Sequence, residues 1–299
     1  MEVVGLGVSV LKGAAQEHPD RLRLDARGPV HDRRFALVDP VAARVLRTVE
    51  NPRLMSLRAR TLPAGTGTAP GPSGTRRDGD DGHDGDVLVV EVPGHPPTAV
   101  PVRPVGLLEA DYWGRPCRLE VLGGPAVTAL TTTLSTVLGR EVVLCRAGRR
   151  DVVYGEGVTL VTTSSLVELE RRRASAGTGG PARPLEELLA DAERWRATLA
   201  VRTDGAPPFV EDGWHGRTLR VGPRDDGGVT LRVTAGVARC AVVRGRPRDG
   251  AREDWDPLRL LADDRLVDGP GGREVAFAVG AEVEVPGEVA LGDRVVLGP

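Results

Sequence analysis

Lysine is nearly missing from this chain. Lys12 is the only one among 40 basic residues. A lysine Schiff base with pyridoxal phosphate or a carbonyl substrate would have to use that residue. Lys12 sits in a Gly-flanked N-terminal stretch, so no pyridoxal phosphate chemistry is expected. Cysteine is also scarce: Cys117, Cys145 and Cys240, an odd number with no CxxC pair. That argues against a disulfide scaffold and against a four-cysteine zinc site. No apolar run approaches the roughly 20 residues of a membrane helix. The N-terminus has no basic region followed by a long apolar core. A soluble cytoplasmic protein without a membrane partner is therefore expected. The net charge of −2 and pI near 6.3 give no pull toward nucleic acid. There is no Gly-x-Ser-x-Gly elbow, no GxGxxG after a strand and no GxxxxGK[ST], which removes the usual sequence support for hydrolase or nucleotide-binding function.

What is present reads as β structure at both ends with helices between. At 299 residues the chain can bury a sizeable core in one large or two modest domains. Short runs at Val3–Leu11, Arg21–Asp25, Arg34–Asp39, Arg44–Thr48 and Leu54–Ala59 are separated by turn residues and suggest a small barrel or sandwich. Residues 63–86 are Gly, Pro, Thr, Asp and Arg with almost nothing to bury, so a mobile insertion is expected there. Val127, Leu130, Leu134, Val137 and Leu138 recur at helical spacing before Gly139. Ser165-Leu-Val-Glu168 has the form of a capping box. In the last third, Val275, Phe277, Val279, Ala281, Val283 and Val285 alternate as one face of a strand. The expected class is mostly β (α+β), divided as residues 1–122 and 123–299.

The features that carry chemistry lie in a series. His31-Asp-Arg33-Arg-Phe35 opens a strand, and Glu50-Asn-Pro-Arg-Leu54 forms a turn. Thr163-Ser-Ser-Leu-Val-Glu-Leu169 begins a helix, and Trp195-Arg196-Ala-Thr198 closes one. Glu211-Asp-Gly-Trp214, Arg239-Cys240, and Pro286-Gly-Glu-Val-Ala-Leu-Gly-Asp293 follow. In this order they resemble the molybdenum cofactor sulfurase C-terminal (MOSC) family. The similarity is greatest to members with an N-terminal β-barrel region, such as the mitochondrial amidoxime-reducing components. The resemblance implies a MOSC-like β-barrel with flanking helices plus an N-terminal barrel-like region.

The same resemblance implies a molybdenum cofactor (molybdopterin). Cys240 would be its metal ligand and catalytic thiol, with Arg33, Arg196, Thr198 and Arg239 contacting the cofactor. A thiolate selects soft metals, and guanidinium groups grip phosphate bidentately. The implied activity is reduction of N-hydroxylated small-molecule substrates, with an external electron-transfer protein, or sulfur transfer. The family's phosphate-binding Lys-Ser pair reads Ser9-Val10 here, and Glu156 stands where a phosphate contact is usual. Two other functions stay open: a cofactor-free enzyme using Cys240 as nucleophile or persulfide carrier, and a non-catalytic binding module. Each residue also has a plain structural role open to it. Cys240 could be a buried core thiol, Arg33 a salt bridge to Asp32, and Arg196 a fork onto carbonyls. Arg239 and Cys240 are neighbours on a strand, so both can face one ligand only if the strand bends near Gly236. Trp214 and Phe277 are expected in the core, and His215 in a solvated turn.

Overall fold

The computed structural model describes residues 1–63, 86–178, 180–223, 228–269 and 272–299. The molecule is mostly β. Its largest sheet has the order Val158–Thr162, Leu199–Arg202, Glu2–Leu6, Arg294–Leu297, Thr218–Gly222, Val229–Arg239, Gly272–Val285, Leu266–Gly269. Val158–Thr162 also pairs with Gly272–Val285, so seven of these strands close on themselves. A second, smaller barrel closes through Phe35–Asp39, Arg44–Val45, Pro104–Tyr112, Arg115–Leu122 and Val143–Arg146. Closure removes the unpaired edges that would otherwise invite aggregation.

The alternation of the strands explains both interiors. Leu219, Val221, Leu231, Val233, Ala281 and Val283 point into the large barrel, each 8 % exposed or less. Ala36, Val38, Ala110, Tyr112, Leu119 and Cys145 fill the small one. Each fully buried Leu or Val adds about 1.5–3 kcal/mol over leaving it exposed. The chain does not divide cleanly at residue 122. Its first strand, Glu2–Leu6, belongs to the large sheet, while Val143–Arg146 completes the small barrel by pairing with Phe35–Asp39 and Arg115–Leu122. The expected insertion at 63–86 lies outside the described residues apart from its two ends.

Helix Pro125–Leu138 ends with Gly139 in the left-handed region, as its sequence predicts, and begins at a Pro. Helix Thr163–Ser175 starts earlier than expected. Its cap is Thr162, whose hydroxyl accepts from the Ser165 amide. The Ser165 hydroxyl instead donates to the buried Glu211 carboxyl, as does that of Thr162. Glu168, the expected partner in a capping box, pairs with Arg171 and Arg172. The predicted single face from Val275 to Val285 also breaks. Ala278 has φ 67°, and the strand shifts register opposite Gly236. Phe277 consequently packs against the helices with Trp195, whereas Val279 enters the large barrel. Val285 is exposed at the strand end.

Candidate functional site

The two barrels are joined by the segment that follows Glu2–Leu6. It runs beside the start of the small barrel: the Arg33 amide donates to the Ser9 carbonyl, Phe35 to Val10, and Lys12 to Phe35. Gly13 is needed in this turn. Its φ is 86°, and a Cβ there would lie 2.8 Å from the Thr48 hydroxyl. The Ser9 amide donates to Asp32, whose other oxygen accepts from Arg33 at 2.7 Å. Thus Lys12, Asp32 and Arg33 arrive at the barrel junction through backbone pairing rather than through any continuous motif.

Arg196 reaches the same place from the other side. It ends the 3-10 turn Ala192–Trp195 with φ 50°, just before strand Leu199–Arg202. Its guanidinium donates to the Ser9 hydroxyl at 3.0 Å, to the Gly13 carbonyl at 3.0 Å and to the Ala14 carbonyl. Arg33 is likewise left-handed, with φ 48°. Non-glycine residues held there cost about 1–3 kcal/mol each and persist where surrounding structure holds them. The structural contacts anticipated for these arginines are both present: Arg33 bridges Asp32, and Arg196 forks onto carbonyls.

Cys240 ends strand Val229–Arg239, and its thiol is exposed rather than buried in the core. The required bend is present, because the pairing of this strand shifts register on both sides of Gly236. Arg239 donates from Nε to the Phe277 carbonyl and from Nη1 to the Trp195 carbonyl, both at 2.8 Å. Its Nη2 is buried without a hydrogen-bond partner. Burial lowers the Arg239 pKa to about 9, against a smaller opposing pull from Cys240. Arg196 falls to about 10, by burial first and then by Arg33. Cys117 and Cys145 are buried, with thiol pKa values raised mainly by burial.

Lys12 is the residue that sequence reasoning set aside. Its ammonium lies 5.5 Å from the Tyr112 ring centroid. Burial, then Arg33 and Arg196, lower its pKa to about 7, while Cys240 and Asp32 push weakly upward. Its lone status among 40 basic residues was a signal that composition alone could not place. Tyr112 also belongs here. Burial raises its pKa to about 12, and it interacts with Arg33, Arg115 and Cys240.

Not every expected residue joins this cluster. Thr198 is buried, and its hydroxyl accepts from the Thr159 amide while its backbone bonds Gly7 and Thr159. It supports the strand that follows Arg196. Val10 is a core residue, and the Ser9 hydroxyl is taken by Arg196. Glu156 packs against the backbone of Gly280 near Thr234, and among the described residues no hydrogen bond or ion pair joins it to the cluster. Trp214 and Phe277 are core, and His215 is exposed, as expected.

The arrangement therefore gathers Lys12, Arg33 and Arg196, with the carboxylates of Asp32 and Glu193 nearby, and Cys240 links Lys12 to Arg239 with an exposed thiol. A buried donor without a hydrogen-bond partner at Arg239 and, on Lys12, an ammonium with no ion pair among the described residues fit an anionic group. Among the described residues no cluster of three or more His, Cys, Asp or Glu could hold a bare metal ion. A metal here would take one protein ligand, Cys240, and its remaining donors from the group carrying it. Also among the described residues, no helix is long and apolar enough to cross a membrane.

No family model matches the chain, and no curated protein matches it. Among solved structures it is similar to the YuaD protein from Bacillus subtilis. That match spans 100 % of this chain and 96 % of the other, with 13 % identity and a TM-score of 0.38. At that score the likeness assigns nothing to the site.

Proposed function

We propose that the barrel junction is a molybdopterin-type cofactor site of a MOSC-like protein, with Cys240 as the protein ligand to the metal. The observation that carries this reading is the convergence of Lys12, Arg33 and Arg239 on an exposed thiol with too few carboxylates to neutralise them. Arg33 and Lys12 would hold the anionic end of the cofactor, and the free Nη2 of Arg239 would donate to it. Arg196 would act from behind, fixing Ser9, Gly13 and Ala14 so that the Lys12 segment keeps its course. When bound, the cofactor supplies oxygen-atom or sulfur-transfer chemistry, and the protein supplies binding and tuning. The substrate class in this reading is an N-hydroxylated small molecule, with an external electron-transfer partner.

The test is molybdenum and pterin analysis of protein made in a host that synthesises the cofactor. Near-stoichiometric molybdenum, lost in Cys240→Ala, is the expected result. A protein lacking both metal and pterin would end this reading. It would favour a second one, in which Cys240 acts as a nucleophile or persulfide carrier on an anionic metabolite. That alternative is favoured by the exposed thiol and by the commitment of Ser9 and Arg196 to each other.

A further inference from the structure

The hairpin between strands Pro104–Tyr112 and Arg115–Leu122 turns through Trp113 and Gly114 alone, since Tyr112 pairs with Arg115. Both turn residues have positive φ, 58° and 75°. Such two-residue turns favour Asn-Gly or Asp-Gly, and a bulky aromatic at the first position is strained. The strain serves no core. Trp113 is 45 % exposed, whereas Trp195, Trp214 and Trp255 are each 8 % exposed or less. Its ring lies 5.8 Å from that of Tyr154, itself 63 % exposed. Arg47 sits 4.3 Å from the Trp113 ring centroid. The pair is continuous with the cationic cluster, because Trp113 directly follows Tyr112, whose ring faces Lys12 and Arg115 and which interacts with Arg33 and Cys240.

We infer that Trp113 and Tyr154 form a stacking rim that selects a planar aromatic or heteroaromatic acid as the small-molecule ligand of the Cys240 site. Resting on the reading of that site given above, this names its substrate class. Exposed aromatic rings stack on any flat π-system, and the adjacent cations favour a carboxylate on it. The ring would lie on Trp113 and Tyr154, with its acidic substituent toward Arg115 and the cluster. Trp113 and Tyr154 are specificity residues here, not catalytic ones.

The experiment compares benzoate with cyclohexanecarboxylate, which share charge and size but differ in aromaticity. Binding is followed by ligand-observed NMR and by tryptophan fluorescence, on full-length protein whose molybdenum content is measured in parallel. Wild type should bind benzoate about tenfold tighter than cyclohexanecarboxylate, with quenching of the exposed tryptophan. Trp113→Asn, which suits the turn better, should fold with a Tm no lower than wild type and lose the preference. Tyr154→Leu should reduce the preference about threefold. Equal binding of the two acids, no benzoate binding, or an aromatic preference surviving in Trp113→Asn would overturn the inference. Those results with molybdenum present leave the cofactor reading intact. Aromatic preference without molybdenum keeps the rim and removes the cofactor.

Discussion

Two regions of this molecule bury arginine in opposite ways. On the helical face, Arg173 donates twice to Glu170, which also accepts from Arg183, and Arg194 bonds Asp191 and Glu253. There each guanidinium has a carboxylate. Glu170 is held down to about 2 by hydrogen bonds from Arg173 and Arg183, which outweigh its burial. At the barrel junction, Lys12, Arg196 and Arg239 have carbonyls, a hydroxyl or an aromatic ring as partners, and their pKa values all fall. The first arrangement stabilises the fold. The second is electrostatically incomplete, and a bound anion would complete it. Burial alone does not separate the two; a carboxylate hydrogen-bonded to the cation does, and among the described residues only Arg33 of the four junction cations has one, Asp32.

The strongest way to break the comparison is to remove a carboxylate from the paired region. Glu170→Ala leaves Arg173 and Arg183 without their shared partner, which costs about 3–5 kcal/mol. At about 2–4 °C per kcal/mol, the Tm should fall by roughly 10 °C in a calorimetric scan. Charge removal at the junction should act on binding instead. Lys12→Met should keep the Tm within a few degrees or raise it, and should weaken sulfate binding about tenfold in a calorimetric titration. That is the scale of one charge-assisted hydrogen bond, about 1.5–3 kcal/mol.

In both regions stability rises with pH, but the charged form stabilises the fold at Glu170 and costs stability at Lys12, and the two pH windows do not overlap. Glu170 has a depressed folded pKa, so its contribution is full above pH about 4.5 and is lost as pH falls toward about 2. Lys12 is depressed too, but as a base. Below about 7 both folded and unfolded forms are protonated and the cost of the buried charge is full. Between about 7 and 10.5 only the unfolded form keeps its proton, so stability rises with pH over that window. Denaturant titrations across this range should show the rise in wild type and not in Lys12→Met. The smallest effect belongs to Cys240→Ala. The exposed thiol should cost no more than about 0.5 kcal/mol of stability in urea melts.

Much of the scaffold was legible because strands and helix ends obey local rules. The helix closed by Gly139 and the strand at Arg21–Asp25 follow from periodicity and turn residues. Pro104–Tyr112 was missed because its first four residues, which include Val105 and Leu107, are exposed and do not alternate. Ser165 was taken for a cap because its spacing to Glu168 is correct, whereas the buried Glu211 that claims its hydroxyl is distant in sequence. At the site, Cys240, Arg33 and Arg196 stood out as residue types in a pattern. Lys12, Tyr112 and Trp113 did not, since their roles arise only when residues 7–14, 31–35 and 112–115 are brought together.

The central claim is that the junction cations serve a ligand rather than the fold. Sulfate binding and thermal stability, measured together on wild type and Lys12→Met, test it most directly. The account predicts that the variant loses most sulfate affinity while its Tm falls by no more than about 3 °C. Undiminished sulfate binding, or a Tm loss as large as that of Glu170→Ala, would contradict it.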